Sequence, residues 1–130
     1  MKVAFVCVHN SCRSQMAEGY LRALGTEHGF ESYSAGTEDY PEVKPLAVEA
    51  MKLDGVDISN QYPKLLNDIP GELDILITMG CNVECPYVPC HYRDDWGLND
   101  PSGGPIEDFI VTRNLIKAKV LALINQYKNA

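Results

Sequence analysis

The chain predicts an α/β domain of three layers, helices on both faces of a parallel sheet. Three observations carry that prediction. Short β-branched and apolar runs alternate with longer segments whose apolar residues recur at helical spacing. The run Leu-Asp-Ile-Leu-Ile-Thr-Met at residues 73–79 is almost continuously apolar, as a strand buried on both faces must be. Strands that alternate with helices pair in parallel and need cover on each side. With 130 residues the chain is long enough for one core without disulfides or metal, so residues 1–130 read as a single domain.

Residues 2–6 form the first strand, a β-branched and apolar run. Met16, Ala17, Tyr20, Leu21 and Leu24 follow at helical spacing, and Gly25 stands where that helix should stop. Residues 31–34 read as a second strand, ended by Ala35-Gly36, with a polar, proline-containing loop over residues 37–44. Pro45 then opens a helix at its favoured first position. Leu46, Ala47, Ala50, Met51 and Leu53 are its expected inward face, and Gly55 its stop. Residues 73–79 make the third strand and residues 87–92 a short fourth. Pro105 starts the last helix, where Ile106, Phe109, Ile110, Ile116, Val120 and Ile124 form one stripe.

Charge and composition exclude several classes. A net charge of −7 argues against general binding to nucleic acid or to anionic membranes, which needs basic patches. Any anion site must therefore be made locally. No apolar run approaches spanning length, and the run after Lys2 is too short and badly flanked for a signal peptide, so a cytoplasmic location is expected. Five cysteines in such a chain point to catalysis, redox exchange or metal binding rather than to structural staples. Glycine-rich nucleotide fingerprints are absent.

The strongest signal is Cys7-Val8-His9-Asn10-Ser11-Cys12-Arg13-Ser14, lying between the first strand and the first helix. Such a turn aims main-chain N–H groups and the positive end of the helix dipole at one point, which suits a tetrahedral oxyanion. The same field favours the thiolate form of a cysteine, making Cys7 a candidate nucleophile. Arg13 offers a rigid fork that can hold two oxygens at once. The bland alternative is a structural cysteine at a tight turn. Asp100-Pro101, in the loop after the last strand, is by itself an ordinary turn. Cys81, Cys85, Cys90 and His91 supply zinc-type ligands, but adjacent strand residues point apart and no paired Cys-x-x-Cys occurs, so no metal is expected. Cys90 reads as a small buried apolar residue. Cys12 is either structural or a partner for Cys7 on oxidation.

At residues 7–19 the chain resembles the low-molecular-weight protein tyrosine phosphatase superfamily, and Asn-Ser-Cys-Arg-Ser-Gln-Met-Ala-Glu-Gly resembles its thiol-dependent arsenate reductase branch. The phosphatases usually carry Gly where this chain has His9 and Pro where it has Gln15. The resemblance implies four parallel strands with Cys7 as nucleophile. It implies an oxyanion cradle of Val8, His9, Asn10, Ser11, Cys12, Arg13 and Ser14, and Asp100 as general acid. Phosphatases follow that Asp-Pro with aromatic residues, whereas Ser102-Gly103-Gly104 follows here, so an aromatic wall is expected to be missing. Reduction of arsenate leaves Cys7 oxidised, and further cysteines must collect the bond by exchange. Cys81 and Cys85 resemble that pair, with a shorter gap than usual. The resemblance thus implies reduction of arsenate to arsenite, with no tightly bound cofactor and with thioredoxin or a low-molecular-weight thiol as external reductant. Phosphotyrosine hydrolysis is the alternative, and a non-enzymatic oxyanion-binding or redox-sensing protein the second. Some relatives hold a potassium ion through residues matching Asn10, Glu18 and Ser34. Here Lys64 stands at the fourth ligand position, and its ammonium is expected to replace the ion, pair with Glu18 and brace Asn10.

Overall fold

A computed structural model describes residues 1–80 and 88–129. Its strands are β1 (Lys2–Cys7), β2 (Glu31–Gly36), β3 (Leu73–Thr78) and β4 (Cys90–Asp95). They form one sheet in the order β2-β1-β3-β4, every pair parallel. The helices are α1 (Arg13–Gly25), α2 (Pro45–Leu53) and α3 (Ile106–Tyr127).

β1 is central and buried from Val3 onward. Val3 and Phe5 face the core shared with Met16, Tyr20, Leu21, Met51, Phe109 and Ile116, so α1, α2 and α3 cover one face. Ala4 and Val6 face the opposite side, against Leu76, Ile69 and Leu66. The described part of that second layer is extended chain with a 3-10 turn at Leu66–Asp68. Asp54, just past α2, ties the helices together by accepting from the Tyr20 hydroxyl (2.8 Å) and the Lys117 ammonium (2.9 Å). Among the described residues no helix is long and apolar enough to cross a membrane.

Three expectations are corrected. Gly25 does not stop the first helix: the chain runs on through a 3-10 turn (Thr26–His28) and reverses at Gly29, whose φ of 86° suits glycine. Leu53 is 64% exposed. It lies two positions beyond Met51, roughly 200° around the helix and off the buried face. The fourth strand begins at Cys90 and ends at Asp95, later than residues 87–92 suggest. Its Arg93-Asp94-Asp95 end is a charged edge, a common way to blunt an open sheet margin and one that hides the apolar pattern of a strand.

Since all four strands are parallel, the segments that follow them leave at one edge of the sheet. β1 lies between β2 and β3, where the chain's direction of progress across the sheet reverses. Parallel sheets bind ligands at that switch point.

Candidate active site

Residues 7–14 leave the end of β1 at this edge and enter α1. Asn10 adopts φ 53°, an uncommon left-handed conformation for a residue with a side chain. Side-chain bonds hold it there. Its Oδ1 accepts from the Lys64 main-chain N–H (2.9 Å) and from Gln15 Nε2 (2.9 Å). Gln15, fully buried, also donates to the carbonyls of Asn10 and Tyr62 (both 2.9 Å). Gln61 Nε2 in turn donates to Gln15 Oε1 (2.7 Å). The loop is thereby laced to the chain around residues 61–64.

Asn10 Nδ2 donates to Ser14 Oγ (2.8 Å), and Ser14 Oγ lies 2.9 Å from Cys7 Sγ. With an N–H already pointing at its oxygen, Ser14 is free to give its hydroxyl hydrogen to the Cys7 sulfur. Among the described residues no main-chain carbonyl accepts from the N–H groups of His9, Asn10, Ser11 or Cys12. A run of unpartnered N–H groups at a helix start is an anion cradle.

Cys7, Val8, His9, Ser11, Cys12 and Arg13 line a cavity of about 580 Å³. The loop after β2 adds Tyr40 and Lys44, the end of β3 adds Gly80, and the loop after β4 adds Leu98, Asn99, Asp100 and Ser102. Arg13 is only 5% exposed. Its Nη1 donates to the carbonyls of Met79 (3.0 Å) and Leu98 (2.6 Å), while Nη2 lies 3.8 Å from Asp100 Oδ2. One edge of the fork is thus anchored on carbonyls and the other is turned to the acid.

Asp100 accepts from the Ser102 main-chain N–H (3.0 Å). Burial pushes its carboxyl upward. The Ser102 amide and hydroxyl, then Arg13 and Lys44, outweigh that and hold it below the usual carboxylate range. Burial pushes the Cys12 thiol far up, with the charges of Asp100 and Cys7 acting the same way and those of Arg13 and Lys44 against. Cys12 therefore rests as a thiol, a poor nucleophile.

Several of these residues carry no local sequence signal. Tyr40 stacks on His9, ring centroids 4.8 Å apart, so an aromatic wall comes from the loop after β2 rather than from the segment after Pro101. Asp95 clamps the ends of β3 and β4. Its Oδ1 accepts from Thr78 Oγ1 (2.6 Å) and the Gly80 N–H (2.9 Å), and its Oδ2 from the Gly97 N–H (3.1 Å). Only convergence of the strand ends reveals either role.

Beside the loop, Glu18 is buried and meets the Ser34 hydroxyl, the Arg22 guanidinium and the Lys64 ammonium, the last at 3.3 Å. Lys64 pairs with Glu18 as expected, and its side chain is only 12% exposed. The bracing of Asn10 differs: the Lys64 main-chain N–H does it, while the ammonium also donates to the Tyr62 carbonyl (2.9 Å). Cys81 and Cys85 lie outside the described residues. Cys90 is half-buried against the second-face cluster, and His91 is exposed.

The sequence profile described as low molecular weight phosphotyrosine protein phosphatase matches residues 2–130. The chain is 38% identical over 122 residues to an arsenate reductase of Staphylococcus aureus (strain Newman), covering 91% of this chain and 92% of that protein. It superposes on a solved arsenate reductase in a phosphate-binding state with a TM-score of 0.88, at 38% identity, over 96% of this chain and 97% of the other. A thioredoxin-dependent arsenate reductase of Corynebacterium glutamicum is 32% identical with a TM-score of 0.74, over 96% of this chain and 60% of that one. A match that begins in β1 and runs past α3 takes in every loop that lines the cavity, and it places the chain in the low molecular weight phosphotyrosine protein phosphatase family.

Proposed function

We propose that the protein reduces arsenate to arsenite through a relay of its own cysteines. The observation that carries the reading is the meeting of Cys7, Arg13 and Asp100 around one cavity lined by N–H donors. The 38% identity to arsenate reductases favours arsenic chemistry over simple hydrolysis.

Arsenate enters with its oxygens on the N–H groups of residues 8–14 and on Arg13. Its negative charge lies beside Asp100 and competes for Arg13, which reverses the balance that keeps the carboxyl ionised in the empty site. Asp100 then holds a proton next to the departing oxygen. Cys7 attacks arsenic, an arsenic–oxygen bond breaks, and the oxygen leaves as water with the proton from Asp100. A positioned acid is worth about 10²–10⁴-fold in such a step.

The thiolate of Cys81 next attacks the Cys7 sulfur. A sulfur–sulfur bond forms, the sulfur–arsenic bond breaks, and its electron pair stays on arsenic, which leaves as arsenite. Cys85 attacks Cys81, frees Cys7 and leaves a Cys81–Cys85 disulfide for an external dithiol. Support for this stage comes from chain order: Gly80 lines the cavity, and Cys81 is the next residue. The His9–Tyr40 wall favours a second, minor activity, hydrolysis of small aryl phosphates by Cys7 with water as acceptor.

NADPH oxidation coupled to thioredoxin reductase tests the reading, with arsenate as substrate and thioredoxin compared with low-molecular-weight thiols. Wild type is expected to turn over many times. Cys81→Ser and Cys85→Ser are expected to stop after at most one turnover while keeping phosphatase activity. Normal arsenate turnover by Cys85→Ser with the same reductant contradicts the last exchange.

A further inference from the structure

Lys44 lines the cavity, yet the relay above gives it no part. Its main chain is fixed on both sides. The N–H donates to the Ser11 carbonyl (2.7 Å), tying the residue to the oxyanion loop, and the carbonyl accepts from Ala47 and Val48 in the first turn of α2. Pro45 follows at the helix start and stiffens the junction. The side chain, by contrast, has a soft anchorage. Its ammonium hydrogen-bonds the Tyr40 hydroxyl and lies 4.7 Å from the centroid of the Tyr40 ring. Its charge is felt at Asp100 and at Cys12, both on the cavity lining, so the ammonium faces the space between them.

A neutral phenol is a weak partner for an ammonium beside an oxyanion, where the hydrogen bond is charge-assisted at both ends. An anion on the loop of residues 8–14 keeps at least one oxygen toward the mouth, because Arg13 and the N–H groups approach it from the floor. We propose that Lys44 is a substrate-binding residue that sets charge specificity. When a tetrahedral oxyanion enters, the ammonium leaves the Tyr40 hydroxyl and pairs with the outer oxygen, favouring dianions over singly charged or neutral ligands. The proposal rests on the oxyanion reading of the cavity but not on arsenate being reduced there. The rival role is structural: Lys44 clamps Tyr40 onto His9.

The test is calorimetric titration of inorganic phosphate into the reduced full-length chain, beside arsenate kinetics. Lys44→Met and Lys44→Gln are expected to weaken phosphate binding about tenfold, the loss of one half-exposed charge-assisted bond. Lys44→Arg keeps affinity within about threefold, since the charge and donors remain. The KM for arsenate rises in parallel while kcat stays within about twofold, the signature of uniform binding. Tyr40→Phe separates the two roles. It removes the competing partner of the ammonium, so phosphate binds as tightly as to wild type or more so, whereas a clamp predicts the same loss as Lys44→Met.

Unchanged phosphate affinity in both Lys44 truncations overturns the proposal, as does equal weakening in Tyr40→Phe. Lys44-dependent phosphate binding without arsenate turnover in wild type sinks the reductase reading alone. No phosphate binding by wild type sinks this proposal together with the oxyanion reading.

Discussion

Gly36 ends β2 against the back of the oxyanion loop, and Gly36→Ala probes how tightly the site is built. An added Cβ would stand 2.6 Å from the Val8 carbonyl oxygen, 2.9 Å from His9 C and 3.0 Å from Asn10 N. All three are main-chain atoms, so no side chain can swing away. The strand cannot easily retreat either. The Gly36 N–H donates to the Lys64 carbonyl (2.7 Å), and the next two N–H groups, of Thr37 and Glu38, both donate to the Val8 carbonyl (2.9 Å each). To reach ordinary contact at 3.4 Å the Val8 carbonyl must withdraw by about 0.8 Å. Overpacking of this kind costs about 1–3 kcal/mol, partly offset by the lower chain entropy of alanine, about 0.4–1 kcal/mol. The net of about 1–2 kcal/mol lowers the melting temperature of a chain this size by about 4–8 °C. Activity falls further than stability, because a 1 Å misplacement in an active site costs about 10²-fold. Thermal unfolding by circular dichroism and kcat/KM for arsenate, at a temperature where the variant is folded, read the two effects. Gly71→Ala is the control, with no atom near its added Cβ and an expected change within about 0.5 kcal/mol. A Gly36→Ala protein with wild-type melting and wild-type kcat/KM refutes the packing argument.

Two further outcomes are expected. Lys117, then the Tyr20 hydroxyl, hold the Asp54 carboxyl below its ordinary range against the opposing effect of burial. That stabilisation is full above the ordinary carboxylate range and is lost as pH falls through the lowered value. Asp54→Asn therefore lowers the melting temperature at neutral pH by about 2–4 °C, the scale of a partly exposed ion pair, and the difference shrinks on acidification. A difference that does not change with pH counts against the ion pair. Lys64 pairs with Glu18 from inside the chain. Potassium and sodium salts at equal ionic strength are expected to give one melting temperature and one KM for arsenate, since an ammonium repels a cation. A potassium-specific rise in melting temperature refutes this, and Lys64→Asp should create such a dependence.

What was legible in the sequence was local. β1, the turn and α1 are contiguous, so the apolar run, the Cys7-to-Arg13 spacing and the helical repeat announce one another. The Ser14 contact with Cys7 follows from the same turn. What was not legible depends on strands far apart in the chain ending side by side. Tyr40 and Lys44 sit in a polar loop that resembles any other, and Asp95 lies in an edge strand whose charges mask it. Gly36 reads as the end of a strand, whereas its lack of a side chain makes room for the oxyanion loop. Gln15 departs from the phosphatase pattern, and its partners, Asn10 and Tyr62, are joined to it only by the fold.

Thiol consumption by the chain alone bears most directly on the relay. Fully reduced protein, freed of external thiols, is mixed with excess arsenate, and arsenite and free thiols are counted after one turnover. The relay predicts one arsenite per chain and the loss of two of the five cysteine thiols, with peptide mapping placing the new disulfide between Cys81 and Cys85. No arsenite and five intact thiols, with phosphate esters still hydrolysed, would contradict it and leave the chain a phosphatase.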